Sequence, residues 1–139
     1  MITRVTKRAA LRGTGLVAGV ARGIARTCRD AVSVARIDPE TGVLHEPGHA
    51  LDGCCLAGGI LVFPAGKGSS GGSYILMSLA AKKIGPIAIV MDVADAVVVA
   101  GAVLAGIPLV TGLGAEALGC INEGDRLLVD GGTGLVRFL

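Results

Sequence analysis

Gly59-Ile60-Leu61-Val62-Phe63-Pro64-Ala65-Gly66-Lys67-Gly68-Ser69-Ser70-Gly71-Gly72-Ser73 is the stretch from which the fold of this chain can be read. Its first five residues form an apolar run that reads as a buried strand. Ser73 to Lys83 reads as a helix. Between them lies a loop rich in glycine, with two adjacent hydroxyls and one lysine. A strand that passes through such a loop into a helix is a unit of an α/β fold. The loop exposes backbone N–H groups at the positive end of the helix dipole, which suits it to hold an anion.

The pattern continues downstream. Ile87 to Met91 is a short apolar strand, as expected in a covered parallel sheet. Asp95 to Ala105 reads as a second helix with Asp95 as its N-cap. Pro108 to Val110 reads as a strand and Glu116 to Cys120 as a helical turn. Asp125 to Val129 and Gly134 to Phe138 read as a closing hairpin over Asp130-Gly131-Gly132-Thr133.

Upstream, residues 3–11 and 16–26 alternate β-branched and basic residues around Gly13 and Gly15 and read as two strands. Ala31 to Ile37 reads as a third. Asp38-Pro39-Glu40-Thr41-Gly42 is a turn by its chemistry, His45 to Gly53 a loop, and the strand before the glycine-rich loop spans Leu56 to Phe63. With no long linker and no repeat, residues 1–139 are expected to form a single mixed α/β domain with a mixed or barrel-like β core and two main helices.

Aromatic residues are scarce: Tyr74, Phe63, Phe138 and no Trp. Eight of the 13 basic residues fall within residues 1–36 (Arg4, Lys7, Arg8, Arg12, Arg22, Arg26, Arg29, Arg36) against one acid, Asp30. A basic face suits an anionic ligand or a partner chain. Without aromatic residues for stacking, or a recognisable module, nucleic acid is not expected. The acid-poor N-terminus mimics an organellar leader, but its strand-like alternation and turn glycines read as folded structure. Cys28, Cys54, Cys55 and Cys120 show no C-x-x-C spacing, and no secretory leader accompanies them. They are expected as reduced, mostly buried thiols of a cytoplasmic protein, with no metal held by this chain. Ala96 to Ala115 carries one run of uncharged residues long enough for a bilayer, but Pro108, four glycines and the flanking Asp92 and Asp95 favour a buried helix followed by a strand.

Three motifs compete for the loop. Gly66-x-Gly68-x-x-Gly71 matches the dinucleotide fingerprint, with Asp92 about twenty residues beyond. The motif stands far from the start of the chain, however, and glycine is abundant enough for chance matches. A Walker A loop is excluded, because Gly66-Lys67 is followed by Gly68 and not by Ser or Thr. The third possibility is an anion-binding loop that carries a catalytic hydroxyl.

Here the residues become specific. Gly59 to Ser70 resembles the signature of the aconitase X family. Asp38 to Gly42, His49 and Gly53, Gly85-Pro86-Ile87-Ala88-Ile89-Val90 and Gly101-Ala102-Val103-Leu104-Ala105-Gly106-Ile107-Pro108 resemble further segments of it, so the likeness spans about residues 13–112. That resemblance implies the swivelling β/α domain of the aconitase superfamily, here as a separate small subunit. It also implies a large subunit bearing an iron–sulfur cluster or iron, with a shared site between the two chains. The implied activity is dehydration of a small hydroxy acid, first cis-3-hydroxy-L-proline and alternatively mevalonate 5-phosphate. By position Ser69 matches the family's catalytic serine. A domain that only binds a nucleotide or a partner is the competing class.

The chemistry is consistent with such a loop. Dehydration needs a base for a carbon acid beside a carboxylate and a Lewis acid for the departing hydroxyl. Ser69 would be the base, with Ser70 as its rival. N–H donors from Gly68 to Gly72 and the Lys67 ammonium would stabilise an alkoxide. Lys67, Gly68, Ser70 and Gly71 are the expected substrate contacts, and Ser73 an N-cap. His45 and His49 are expected to be structural or exposed, Asp92 and Asp95 helix-start residues, and Cys54 and Cys55 packing residues. Where the family is expected to carry a Ser-Phe-Trp-Gly-Gly-like segment, this chain has Ala31-Val32-Ser33-Val34-Ala35-Arg36-Ile37, with Arg36 as a substitute anion contact.

Overall fold

The computed structural model describes residues 10–139. Arg4, Lys7, Arg8 and most of the strand expected over residues 3–11 lie outside the described residues. The strands are β1 (Leu11–Arg12), β2 (Thr14–Val17), β3 (Val20–Thr27), β4 (Ile60–Phe63), β5 (Ala88–Met91), β6 (Leu109–Thr111), β7 (Arg126–Asp130) and β8 (Leu135–Phe138). The helices are α1 (Gly72–Lys82), α2 (Ala96–Ala105) and the single turn α3 (Ala115–Leu118).

The eight strands run in the order β1-β8-β7-β3-β4-β5-β6-β2. The parallel part is β3-β4-β5-β6, built from two β-α-β crossovers. The remainder is antiparallel. The two outermost strands, β1 and β2, are separated in the chain by Gly13 alone, so the sheet comes back on itself as a nearly closed barrel. Closure removes the open edges that a sheet otherwise presents.

Period-two alternation sorts the strand residues into two cores. Ile60, Val62, Ala88, Val90, Val110, Leu127, Val129 and Val136 pack with one another inside the barrel. Leu61, Phe63, Ile89, Met91 and Leu109 face the other way and pack with Leu76 and Leu79 of α1 and Val98 and Ala102 of α2. Both faces of β4 and β5 are thus buried, which explains their uninterrupted apolar sequence.

Two strand expectations are corrected. The strand foreseen over 16–26 is broken into β2 and β3 around Ala18-Gly19, where Gly19 has φ of +132°. The strand foreseen over Ala31 to Ile37 is a 3₁₀ turn at Val34–Arg36, flanked by isolated bridges from Val32 to Gly66 and from Ile37 to Leu44. The Asp38–Gly42 turn forms as expected, closed by Gly42 N–H donating to Asp38 O at 2.8 Å. No helix among the described residues is long and apolar enough to cross a membrane. The run from Ala96 to Ala115 is divided between α2, β6 and the turn leading into α3.

Candidate functional site

The loop that follows β4 lies where the parallel strands end, the usual place for ligands in open α/β sheets. It is held from two sides. Pro64 O accepts the N–H groups of Asp92 (3.1 Å) and Val93 (2.9 Å) beyond β5. The segment around Val32 lies alongside: Val32 N–H donates to Ala65 O at 3.0 Å, and Lys67 N–H donates to Val32 O at 3.1 Å. Gly68 has φ of +99°, and a Cβ there would collide with the Ser33 hydroxyl. A Cβ on Gly66 would press on the Asp95 carboxyl group. Sequence reasoning gave Ser33 no part in the loop, because no local pattern joins a strand-like run to a loop thirty-odd residues away.

Ser69 and Ser70 are both exposed, and their surroundings differ. Ser69 Oγ accepts the Gly71 N–H at 3.1 Å, and Ser69 O accepts the Gly72 N–H at 3.2 Å. Gly71 N–H is therefore engaged by the serine hydroxyl. Among the described residues nothing takes up the N–H groups of Gly68, Ser69 or Ser70. Three successive free N–H groups beside a residue of positive φ are the kind of donor set that can hold an anion. Behind them stands α1, with Gly71 at its N-cap and no side-chain cap. Ser73 is not that cap: it lies inside α1 and its hydroxyl donates to Val97 O of α2 at 2.7 Å. It fixes the helix that carries the loop. Gly101 of α2 allows the same close crossing, since a Cβ there would meet Leu76 and Ser73.

Lys67 makes an ion pair. Its Nζ lies 2.7 Å from Glu46 Oε2. The Lys67 hydrogen bond holds the Glu46 carboxyl below its usual range, against the opposing effect of burial. Glu46 was not among the residues singled out from the sequence; it sits in the His45–Gly53 loop with no motif to mark it. His49 is structural, as expected. Its ring is buried, Nδ1 accepts the Leu51 N–H at 3.0 Å, and Nε2 lies 3.1 Å from Ala31 O, which assigns the proton to Nε2. His45 is exposed, 3.9 Å from Asp38. Arg36 donates to the His45 carbonyl at 3.2 Å.

Asp95 caps α2, accepting Val98 N–H at 3.0 Å. Asp92 does not start that helix. Its carboxylate accepts Gly114 N–H at 2.9 Å and its carbonyl accepts the Thr111 hydroxyl, so it braces the turn into α3. A carboxylate committed in this way is poorly placed to read a ribose, and this weakens the dinucleotide motif. Next to the loop, sharing Pro64, lies a cleft of about 320 Å³ between the end of β3 and α3, lined by Thr27, Arg29, Leu118 and Asn122 among others. Cys28 also lines it. Burial pushes this thiol up to about 11, so it is a neutral packing group. The thiols are less buried than expected: only Cys28 is buried, and Cys55 is exposed. No group of three or more His, Cys, Asp or Glu among the described residues is placed to hold a metal ion.

Residues 10–138 match the aconitase X swivel domain family. A phosphomevalonate dehydratase small subunit of Pyrococcus furiosus is 42% identical over 130 residues, covering 93% of this chain and 95% of the relative. The same-named subunit of Methanocella arvoryzae is 38% identical over 128 residues, with 91% and 97% covered. The crystal structure of Thermococcus kodakaraensis aconitase X in its holo-form superposes with a TM-score of 0.88 at 35% identity, covering 94% of this chain and 98% of that one.

Proposed function

The chain belongs to the aconitase X swivel domain family, and on that premise we propose that it is the small subunit of a two-subunit hydro-lyase that dehydrates mevalonate 5-phosphate. Of the two substrates the sequence suggested, cis-3-hydroxy-L-proline came first. The names of the relatives support the alternative, and we adopt it. The substrate fits the chemistry: mevalonate 5-phosphate bears a hydroxyl on the carbon β to a carboxylate, so an acidified C–H adjoins the leaving group.

The observation that carries the reading is the Ser69 hydroxyl. It is exposed, and it receives an N–H from Gly71 in a loop whose next free groups are all N–H donors. Every one of these dipoles favours negative charge on oxygen. Ser69, as alkoxide, takes the proton from the carbon next to the carboxylate, and the C–H electron pair becomes the new double bond as the β-hydroxyl leaves. Ser70 has no such donor on its side chain among the described residues, which favours Ser69 as the base. The free N–H groups of Gly68 and Ser70 and the Ser70 hydroxyl then face substrate oxygens.

An iron–sulfur cluster or iron on the large subunit would supply Lewis acidity for the departing hydroxyl. On this reading the chain contributes the proton-transfer half of the site, through Ser69.

The test is reconstitution with the large subunit and assay against both hydroxy acids. Mevalonate 5-phosphate should be dehydrated by the wild-type pair, and Ser69→Ala should lose at least about a thousandfold in kcat while still assembling. An active Ser69→Ala pair overturns the assignment. Turnover of cis-3-hydroxy-L-proline alone restores the first substrate.

A further inference from the structure

The environment of Lys67 points to a role in the loop and not toward the substrate. Its ammonium pairs with Glu46, and the two side chains are unequally placed: Lys67 is 49% exposed, Glu46 only 13%. The second carboxylate oxygen, Glu46 Oε1, is buried and has no hydrogen-bond partner. Buried polar atoms are nearly always partnered, so this carboxylate depends on the few contacts made by its other oxygen. The partner the structure gives that oxygen is the Lys67 ammonium, at 2.7 Å. Lys67 belongs to the segment that holds the loop in place. Lys67 N–H bonds Val32 O, and Ser33 lies against Gly68. Glu46 is held in turn, since its N–H donates to Asp52 Oδ1 at 2.8 Å.

Resting on the assignment of Ser69 as the base, we infer that Glu46 is a positioning residue. It acts through Lys67, fastening the residue that enters the Gly68–Ser70 turn to the His45–Gly53 loop, and it commits the lysine charge to that task instead of to the substrate's anionic groups. The energetic asymmetry follows from the exposures. Removal of Glu46 leaves an ammonium that water can solvate. Removal of Lys67 leaves a half-buried carboxylate, one of its oxygens shielded from water, without its cation, the costlier defect.

The experiment is a double-mutant cycle with Glu46→Gln, Lys67→Met and the pair, read two ways. In thermal unfolding of the full chain, Lys67→Met should lower Tm more than Glu46→Gln does. The double variant should regain at least about half of the Lys67→Met loss, because the orphaned charge has gone with its partner. In the reconstituted complex all three should lose about tenfold in kcat with KM for mevalonate 5-phosphate within about twofold, and Lys67→Arg should retain most activity.

Additive Tm losses overturn the inference. So does a Lys67→Met enzyme whose KM rises about tenfold at unchanged kcat, since that is the signature of a substrate clamp. If Lys67→Met does not fold alone, folding of the double variant still supports the asymmetry, and Glu46→Gln alone supplies the kinetic reading. An active Ser69→Ala complex would overturn the assignment of the base and leave the thermal cycle to judge the ion pair independently.

Discussion

Two regions of this chain are rich in glycine, and they use it for opposite purposes. One is the seam where the barrel closes, at Gly13, Gly15, Gly131 and Gly134. There a Cβ would run into backbone: Gly15 into the Gly131 carbonyl, Gly131 into the Val17 carbonyl, Gly134 into the Gly13 carbonyl and Gly13 into that of Thr111. The other is the Gly66–Gly72 loop. Its glycines meet side chains: Gly66 the Asp95 carboxyl, Gly68 the Ser33 hydroxyl, Gly72 the methyl groups of Val34 and Val97. The seam needs glycine because two backbones must nearly touch for the sheet to return on itself. The loop needs it so that N–H groups can face outward while the chain threads between Ser33 and α2. Glycine count alone does not distinguish structural from functional use; what each missing Cβ would meet does.

The largest effect is expected at the seam. Gly131 lies outside the positive-φ set, so an alanine there suffers only from the collision, and that collision is with backbone that cannot rotate away. Gly131→Ala should cost more than about 4 kcal/mol, seen as a fall in apparent Tm of more than about 10 °C. A well-folded variant with unchanged Tm would show that the barrel can close with β2 and the β7–β8 turn further apart.

The comparison turns next on Gly68. Here positive φ and contact with Ser33 act together. Gly68→Ala should cost about 2 kcal/mol. Because the obstacle is a hydroxyl, Gly68→Ala/Ser33→Ala should recover part of the stability, whereas no such rescue exists for Gly131. Equal Tm of the single and double variants would place the whole cost in the backbone dihedral.

These contrasts also explain how far the sequence could be read. The parallel half was legible because β4 and β5 are buried on both faces and so present unbroken apolar runs between α1 and α2. Asp95 announced itself as a cap, and it is one. Ser69 stood out through its place after Gly68. Ala31 to Ile37 was misread because Val32 and Val34 have the spacing of a strand, whereas Ile37, three residues on, breaks it, and all three are packing points in and around a 3₁₀ turn. Ser73 was misread because a serine near a helix start usually caps, and only the proximity of α2 gives its hydroxyl another acceptor. Glu46 and Ser33 were invisible, since their relation to the loop exists only after the chain has folded. Gly71 was assigned correctly to the loop, and the engagement of its N–H by Ser69 had no signature in the sequence.

Gly71 also offers the smallest and sharpest test of the contrast between the two regions. Its φ of −62° and ψ of −15° are helical, a conformation any residue adopts. A Cβ there would meet only Ser69 Oγ, at the ordinary contact distance of 3.5 Å. The N–H that serves Ser69 survives substitution. Gly71→Ala should therefore leave thermal stability unchanged or raise it by about 0.4–1 kcal/mol, because alanine has less freedom to lose from the unfolded chain. In a loop where Gly68 resists the same change and a seam where Gly131 forbids it, tolerance at Gly71 would mark it as a glycine required by neither packing nor backbone geometry. A Tm loss as large as that of Gly68→Ala would mean that the turn around Ser69 demands an open Cα at every glycine, and that the loop is closer in kind to the seam than its contacts indicate.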